Sequence, residues 1–468
     1  MAVQLVSPVR AEVEAEVLAA YRSRTPASAA LHAEASAVMP GGDTRTVAFH
    51  APYPLAVQHG QGCVVRDADG NEYIDLLNNY TSLIHGHAHP AVTEAVAAQL
   101  SFGTAFPAPN TFQTRLATLL TDRVASLDLV RFCNSGTEAV MNALRAARAF
   151  TERDLVVKVE GGYHGTYDDV EVSVHPDPAA DAAGSAEAPL PTLDTIGVPA
   201  NTVEAVAVIP FNDIPAAERM FRERGDEIAA IIVEPVMGAG GMIPADEAFL
   251  EALRALTIEA GALLIFDEVM SFRLLPGGMQ EHYRVRSDVT TFAKIIGGGF
   301  PVGAFGGRAA VMEQFNPHRP APLWQSGTFN GNLITMVAGV AAMDAYPAPE
   351  VHRINRLGDR LRDGLAGVLA DAGVVGTVTG FGSFVGLHLG VDSVRSYRDA
   401  AAVDKGLSRL LHLALLLEGV SCAPRLSWCT STAMDEGTID DVLARTRRAL
   451  AAVAPALAAR QGAMAAAR

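Results

Sequence analysis

Residues 290–308, TTFAKIIGGGFPVGAFGGR, place Lys294 in an apolar stretch followed by glycines at 297, 298, 299 and 303. The chain has only three lysines, Lys158, Lys294 and Lys405, so its positive charge is carried almost entirely by arginine. A lysine in an apolar pocket has its charged form destabilised; its pKa falls, and the neutral amine becomes a nucleophile toward carbonyls. The competing reading is a packed stem whose ammonium reaches water. Three further stretches could act with it. GALLIFDEVMSF is an apolar run ending in Asp267-Glu268, two carboxylates that are costly to bury unless something satisfies them. RFCNSGTEAVMNALRAARAF sets Asn134-Ser135-Gly136-Thr137 at the start of a helical pattern with Val140, Leu144, Ala147 and Phe150 on one face. Such a helix start offers free N–H groups, hydroxyls and a positive dipole end to a phosphate, although Ser and Thr there are equally good caps. VEGGYHGTYDD ends a strand on glycines that bring Tyr163 and His164 close to a ligand, where a ring could stack on a flat group or simply pack in a turn.

A strand ending in Asp-Glu also holds magnesium in nucleotide triphosphatases. That reading needs G-x-x-x-x-G-K-[ST], and no lysine here lies in such a sequence. A phosphate cradle, a stacking aromatic, a strand-end carboxylate and a desolvated lysine together describe a site for pyridoxal 5'-phosphate. The lysine forms a Schiff base with the aldehyde, the aspartate keeps the pyridine nitrogen protonated, and the ring accepts electrons from a substrate carbanion.

These residues need a scaffold that brings strand ends together. Short Val/Ile/Leu-rich runs at 129–132, 155–159, 205–211, 229–235, 261–268 and 302–308 alternate with helical periods. The pattern predicts a three-layer α/β domain with a mostly parallel sheet, whose ligands sit at the C-terminal strand ends. Lys294 lies 27 residues after Asp267, about a helix plus turns to the next strand end. A helical period covers residues 10–22, GCVVRDADGNEYIDLL predicts a hairpin, and the last helix is expected to start near Thr438. The organisation expected is an N-terminal segment and small lobe (1–85), a large cofactor-binding domain (86–330) and a smaller α+β domain (331–468) opened by a long amphipathic helix. The Pro/Ala/Asp segment 175–200 reads either as a surface loop or as a flap over a site.

With 468 residues, 49% of them hydrophobic and 19% charged, the chain can bury a large core. A net charge of -16 argues against nucleic-acid or anionic-membrane partners. Cys63, Cys133, Cys422 and Cys429 show no metal-ligand spacing, so no metal is expected. The N-terminal stretch lacks an apolar signal core, and no run is long enough to span a membrane; a cytoplasmic location is expected.

NSGTEAVMNALRAARAF, EGGYHG, VEPVMG, LLIFDEVM, TTFAKIIGGGFPVGAFGGR and SGTFNGN, in this order, resemble the class III aminotransferases. The similarity is to the branch containing glutamate-1-semialdehyde 2,1-aminomutase and the β-amino-acid aminotransferases, and it runs from about residue 30 to 450. It implies a fold-type I homodimer with active sites at the subunit interface. By resemblance, Lys294 is the Schiff-base and proton-transfer lysine and Asp267 the partner of the pyridine nitrogen. Val269 and Tyr163 would cover the two ring faces, and Ser135, Gly136 and Thr137 would hold the phosphate. Thr328 would reach it from the neighbouring subunit, and His164 and Glu234 match positions near the cofactor. The substrate side departs from the aminomutase: Pro40-Gly41-Gly42 is followed by Asp43-Thr44-Arg45 rather than a Ser-Pro-Val-Arg block, and Tyr80 stands where the aminomutase has tryptophan. Arg425 matches an arginine of the β-amino-acid enzymes. Two arginines suit an enzyme that grips a donor and an acceptor carboxylate in turn. The expected activity is amino transfer from an amino acid, a β-amino acid among the possibilities, to a 2-keto acid by a ping-pong mechanism; the runner-up is aminomutase-type intramolecular transfer.

Overall fold

The structure, a computed structural model, describes residues 8–466, with side chains described as far as Ala459. Seven strands form the central sheet, in spatial order Leu129–Cys133, Gly303–Gly307, Val289–Ala293, Leu263–Asp267, Ile228–Val233, Leu155–Val159 and Val206–Ile209. The apolar runs are strands because both faces are covered; every residue of 155–159, 228–233 and 263–267 is buried. Pairing is parallel except around Gly303–Gly307, which runs antiparallel to both neighbours. This strand is glycine-rich for a steric reason: a Cβ at Gly303 would stand 2.0 Å from the Ser135 carbonyl oxygen, and one at Gly307 2.0 Å from that of Asp288.

Helices pack on both faces of the sheet. Helix Gly136–Thr151 buries Ala139, Val140, Ala143, Leu144, Ala146 and Ala147, and its buried alanines let it lie close to the strands. Phe150, expected on that face, instead lies at the surface with the Arg308 guanidinium 4.9 Å from its ring centroid. The expected single amphipathic helix after 331 is two helices. Leu333–Asp344 is buried on nearly all sides, and the amphipathic Ala348–Asp371 follows after Pro347, which has no N–H to continue the first.

Val57–Gln61, Val64–Asp67 and Glu72–Asp75 form the antiparallel meander that contains the expected hairpin. Val420–Ser421 extends it, parallel to Glu72–Asp75. A third sheet joins Gly376–Thr379, Phe384–Leu389 and Ser427–Cys429. Apolar side chains from both ends of the chain fill one core, in which Val17, Tyr21, Tyr73 and Leu76 meet Leu361, Leu411, Trp428 and Ile439. The final helix runs Glu436–Ala466. Among the described residues no helix is long and apolar enough to cross a membrane, and no group of side chains could hold a metal ion. All four cysteines are free.

Candidate active site

Strand register brings the chemistry together. Asp267 ends its strand and pairs with Thr291 on the next, and that next strand closes at Ala293, directly before Lys294. Asp267 is 4% exposed and fully engaged. Its Oδ2 lies 2.8 Å from His164 Nδ1, while Oδ1 accepts from the Val269 N–H at 3.0 Å and the Thr291 hydroxyl at 3.1 Å. Lys294 adopts φ 53°, a left-handed conformation that non-glycine residues hold only when their surroundings impose it. Burial lowers its pKa, and the Arg425 charge adds to that, while Asp267 and Glu234 oppose it. Lys294 is half-buried and borders the internal cavity described below.

Glu234 is pushed up to about 8, first by burial and then by the Asp267 carboxylate. Its oxygens accept from the backbone N–H of Tyr163 and of Gly238, each at 3.1 Å, which ties the glycine turn of 160–165 to the following strand end. Ser135 caps helix Gly136–Thr151 by accepting from the Glu138 N–H at 3.1 Å, and the same hydroxyl still has its proton to donate outward. Gly165, at φ 96°, lets the 160–165 turn close onto that helix start; a Cβ there would lie 2.5 Å from Thr137 Oγ1.

One cavity of about 1000 Å³ joins these groups. Gly136, Thr137, Tyr163, His164, Glu234, Asp267, Val269 and Lys294 line it, together with Arg45, Tyr80 and Arg425. Two sequence candidates stand outside its lining: Ser135, one residue behind Gly136, and Thr328, which is exposed in a segment beyond this chain's own cavity. Arg425 donates to Ser427 Oγ at 3.1 Å, and burial lowers its pKa. Segment 175–200 is partly wall: His175, Asp194 and Thr195 line the cavity, with Asp194 2.8 Å from His175 Nδ1. Sequence reasoning missed Thr291, Asn79 and Phe300. Thr291 had a signal, two threonines in an otherwise apolar strand; Asn79 and Phe300 had none.

The residues present fit pyridoxal 5'-phosphate. A carboxylate fixed by three partners, an amine whose charge is disfavoured, and a capped helix start of 16 residues all border one chamber. The comparison with known families decides the assignment: the model for aminotransferase class III matches residues 47–423. The chain belongs to the class III aminotransferases. As such it is an enzyme that depends on pyridoxal phosphate, with the fold-type I architecture expected from its motifs.

Within this class it is 42% identical over 400 residues to the glutamate-1-semialdehyde 2,1-aminomutase of Methanothermobacter thermautotrophicus, covering 85% of this chain and 92% of that one. It is similar to the solved omega-transaminase of Sphaerobacter thermophilus at 44% identity and a TM-score of 0.88, over 91% and 97% of the two chains. It is also similar to a β-phenylalanine aminotransferase of Variovorax paradoxus at 36% identity and a TM-score of 0.86, over 95% and 98%.

Proposed function

We propose that this class III aminotransferase moves an amino group from an amino acid, β-amino acids included, to a 2-keto acid in two half-reactions. The observation that carries the reading is the pair of guanidiniums, Arg425 inside and Arg45 at the rim, bordering the same cavity as Lys294. Each half-reaction presents a carboxylate, and a planar guanidinium binds one through paired N–H groups.

When bound, pyridoxal phosphate supplies an aldehyde for the amino group and a ring that draws electrons from the substrate carbon. The helix start at Ser135, Gly136 and Thr137 would hold the phosphate, Val269 and Tyr163 would pack on the ring, and Asp267 would meet the ring nitrogen with its carboxylate. His164 and Thr291 fix the Asp267 carboxylate, and Glu234 fixes the turn that carries Tyr163. Lys294 Nζ takes the proton from the amine-bearing substrate carbon and would deliver it, within the same half-reaction, to the carbon that had carried the aldehyde; the second half-reaction runs the transfer in reverse. Trp428, Val47 and Phe300 also line the cavity.

The enzyme acts as a homodimer in the cytoplasm. Phe102, Phe106, Trp324 and Phe329 are 77%, 54%, 83% and 58% exposed, an unusual apolar display. Within the chain, Asn134 Nδ2 donates to Asn330 Oδ1 at 2.8 Å. In this reading the partner subunit's Thr328 completes the phosphate site. Sedimentation is expected at twice the chain mass of 49.1 kDa, and Trp324→Glu together with Phe329→Glu should shift the species toward monomer with loss of retained cofactor.

The second reading, intramolecular transfer on one diamino intermediate, is favoured by the 42% identity to an aminomutase. Adding L-glutamate, 3-amino-3-phenylpropanoate and a diamino acid in turn to the holoenzyme separates the two. Bleaching of the visible cofactor band with keto-acid release by either of the first two is expected; bleaching by the diamino acid alone overturns the transaminase reading. For an accepted donor, Arg425→Ala should raise KM roughly 10- to 100-fold, matching the loss of a charge-assisted contact worth about 1.5–3 kcal/mol.

A further inference from the structure

Four consecutive non-glycine residues, Asn78, Asn79, Tyr80 and Thr81, adopt left-handed conformations, with φ of 47°, 48°, 55° and 73°. Such a turn survives only if its surroundings over-determine it. Asp75 Oδ1 accepts from the N–H of Leu77 at 2.9 Å and of Asn78 at 3.1 Å. The Asn78 side chain donates to the Cys429 carbonyl at 2.9 Å, and buried Arg273 donates to the Thr81 carbonyl at 3.3 Å.

What the turn presents to the cavity is a seat for Arg45. Asn79 Nδ2 donates to Ser82 Oγ at 3.0 Å, and that hydroxyl donates back to the Asn79 carbonyl at 2.9 Å. The amide is thereby oriented with Oδ1 toward Arg45, whose Nη1 donates to it at 2.8 Å. The guanidinium also lies 5.9 Å from the Tyr80 ring centroid, and the Tyr80 hydroxyl donates to the Val47 carbonyl at 2.8 Å, tying down the Arg45 segment. Behind Arg45 is a second cavity of about 350 Å³, bordered by His32, Asp43 and His50, into which an unseated arginine could fall back.

We propose that Asn79 is the positioning residue for Arg45 and so sets the enzyme's selectivity for carboxylated substrates. A neutral amide aligns the guanidinium without consuming its charge, leaving its remaining N–H groups for a substrate carboxylate. An aspartate of the same shape would hold Arg45 as an ion pair. The proposal rests on the reading of Arg45 as a carboxylate ligand.

The test compares holoenzymes of wild type, Asn79→Asp, Asn79→Gly and Arg45→Ala. Aspartate and glycine both tolerate the left-handed backbone, so melting temperatures should stay close to wild type. The probes are 3-amino-3-phenylpropanoate and 1-phenylethylamine, which differ by one carboxylate, with calorimetric binding of unreactive 3-phenylpropanoate as a readout independent of turnover. In Asn79→Asp, KM for the carboxylated donor and Kd for 3-phenylpropanoate should rise about 10-fold or more with kcat within about two-fold, as expected for binding lost equally from ground and transition states. Asn79→Gly should rise less, the uncarboxylated amine should be unaffected, and Asn79→Asp should add little on an Arg45→Ala background. Asn79→Asp no worse than Asn79→Gly, or equal losses on both donors, overturns the positioning role. Arg45→Ala with an unchanged KM and Kd instead overturns the carboxylate reading itself.

Discussion

Lys294→Ala abolishes turnover, with an expected loss of about 10⁴-fold or more, the upper range for removing a positioned proton-transfer group and larger if the amine is also the nucleophile. The visible band of covalently held cofactor disappears with it. The scaffold should be indifferent: alanine at φ 53° bears the same backbone cost as lysine, and removing the amine removes a buried charge whose formation the site already disfavours. The melting temperature of the cofactor-free protein should therefore hold or rise. A small primary amine at high concentration should restore part of the rate, because the cavity of about 1000 Å³ admits it beside the vacated position. Retained turnover within tenfold of wild type would place the proton transfer elsewhere and end the proposed mechanism.

Asp267→Asn is expected to lower kcat by about 10²- to 10⁴-fold with little effect on stability. The substitution keeps the shape. Oδ1 can still accept from the Val269 N–H and the Thr291 hydroxyl, and the new amide can donate to His164 Nδ1, which accepts in its other neutral tautomer. What is lost is the negative charge that the proposed mechanism sets beside the ring nitrogen. Rapid-quench measurement of the first half-reaction should locate the deficit at proton removal rather than donor binding, with KM nearly unchanged. Thr291→Val, which removes one of the three supports and leaves the charge, should cost far less; if the two variants are equally impaired, Asp267 acts through structure and not through charge.

The sheet was legible because its strands are covered on both faces. Runs such as LLIFD and LVVKV are apolar at every position, and their ends placed Asp267 and the turn of Tyr163 correctly on one edge. The helix start at Ser135 was legible as a cap from residue type alone, and it is one. What stayed hidden depends on contacts across long stretches of chain. Asn79 carries meaning only because residues 75, 82, 273 and 429 hold its turn in a conformation no local propensity favours. Likewise the helix after 331 was read as one amphipathic element, since its burial against the helices Pro90–Leu100 and Thr111–Arg123 is invisible along the sequence. Segment 175–200, open between loop and flap, supplies wall at both its ends because Asp194 closes back onto His175.

The strand Gly303–Gly307 works as a spacer of fixed width. On one side lies the strand leading to the Ser135 helix start, on the other the strand leading to Lys294. Any side chain at Gly303 would collide with the Ser135 carbonyl, so the backbone at the start of the Ser135 helix would have to shift. The site is therefore vulnerable at a position that carries no functional group at all: the absence of a Cβ there is what lets the Ser135 helix start lie where it does.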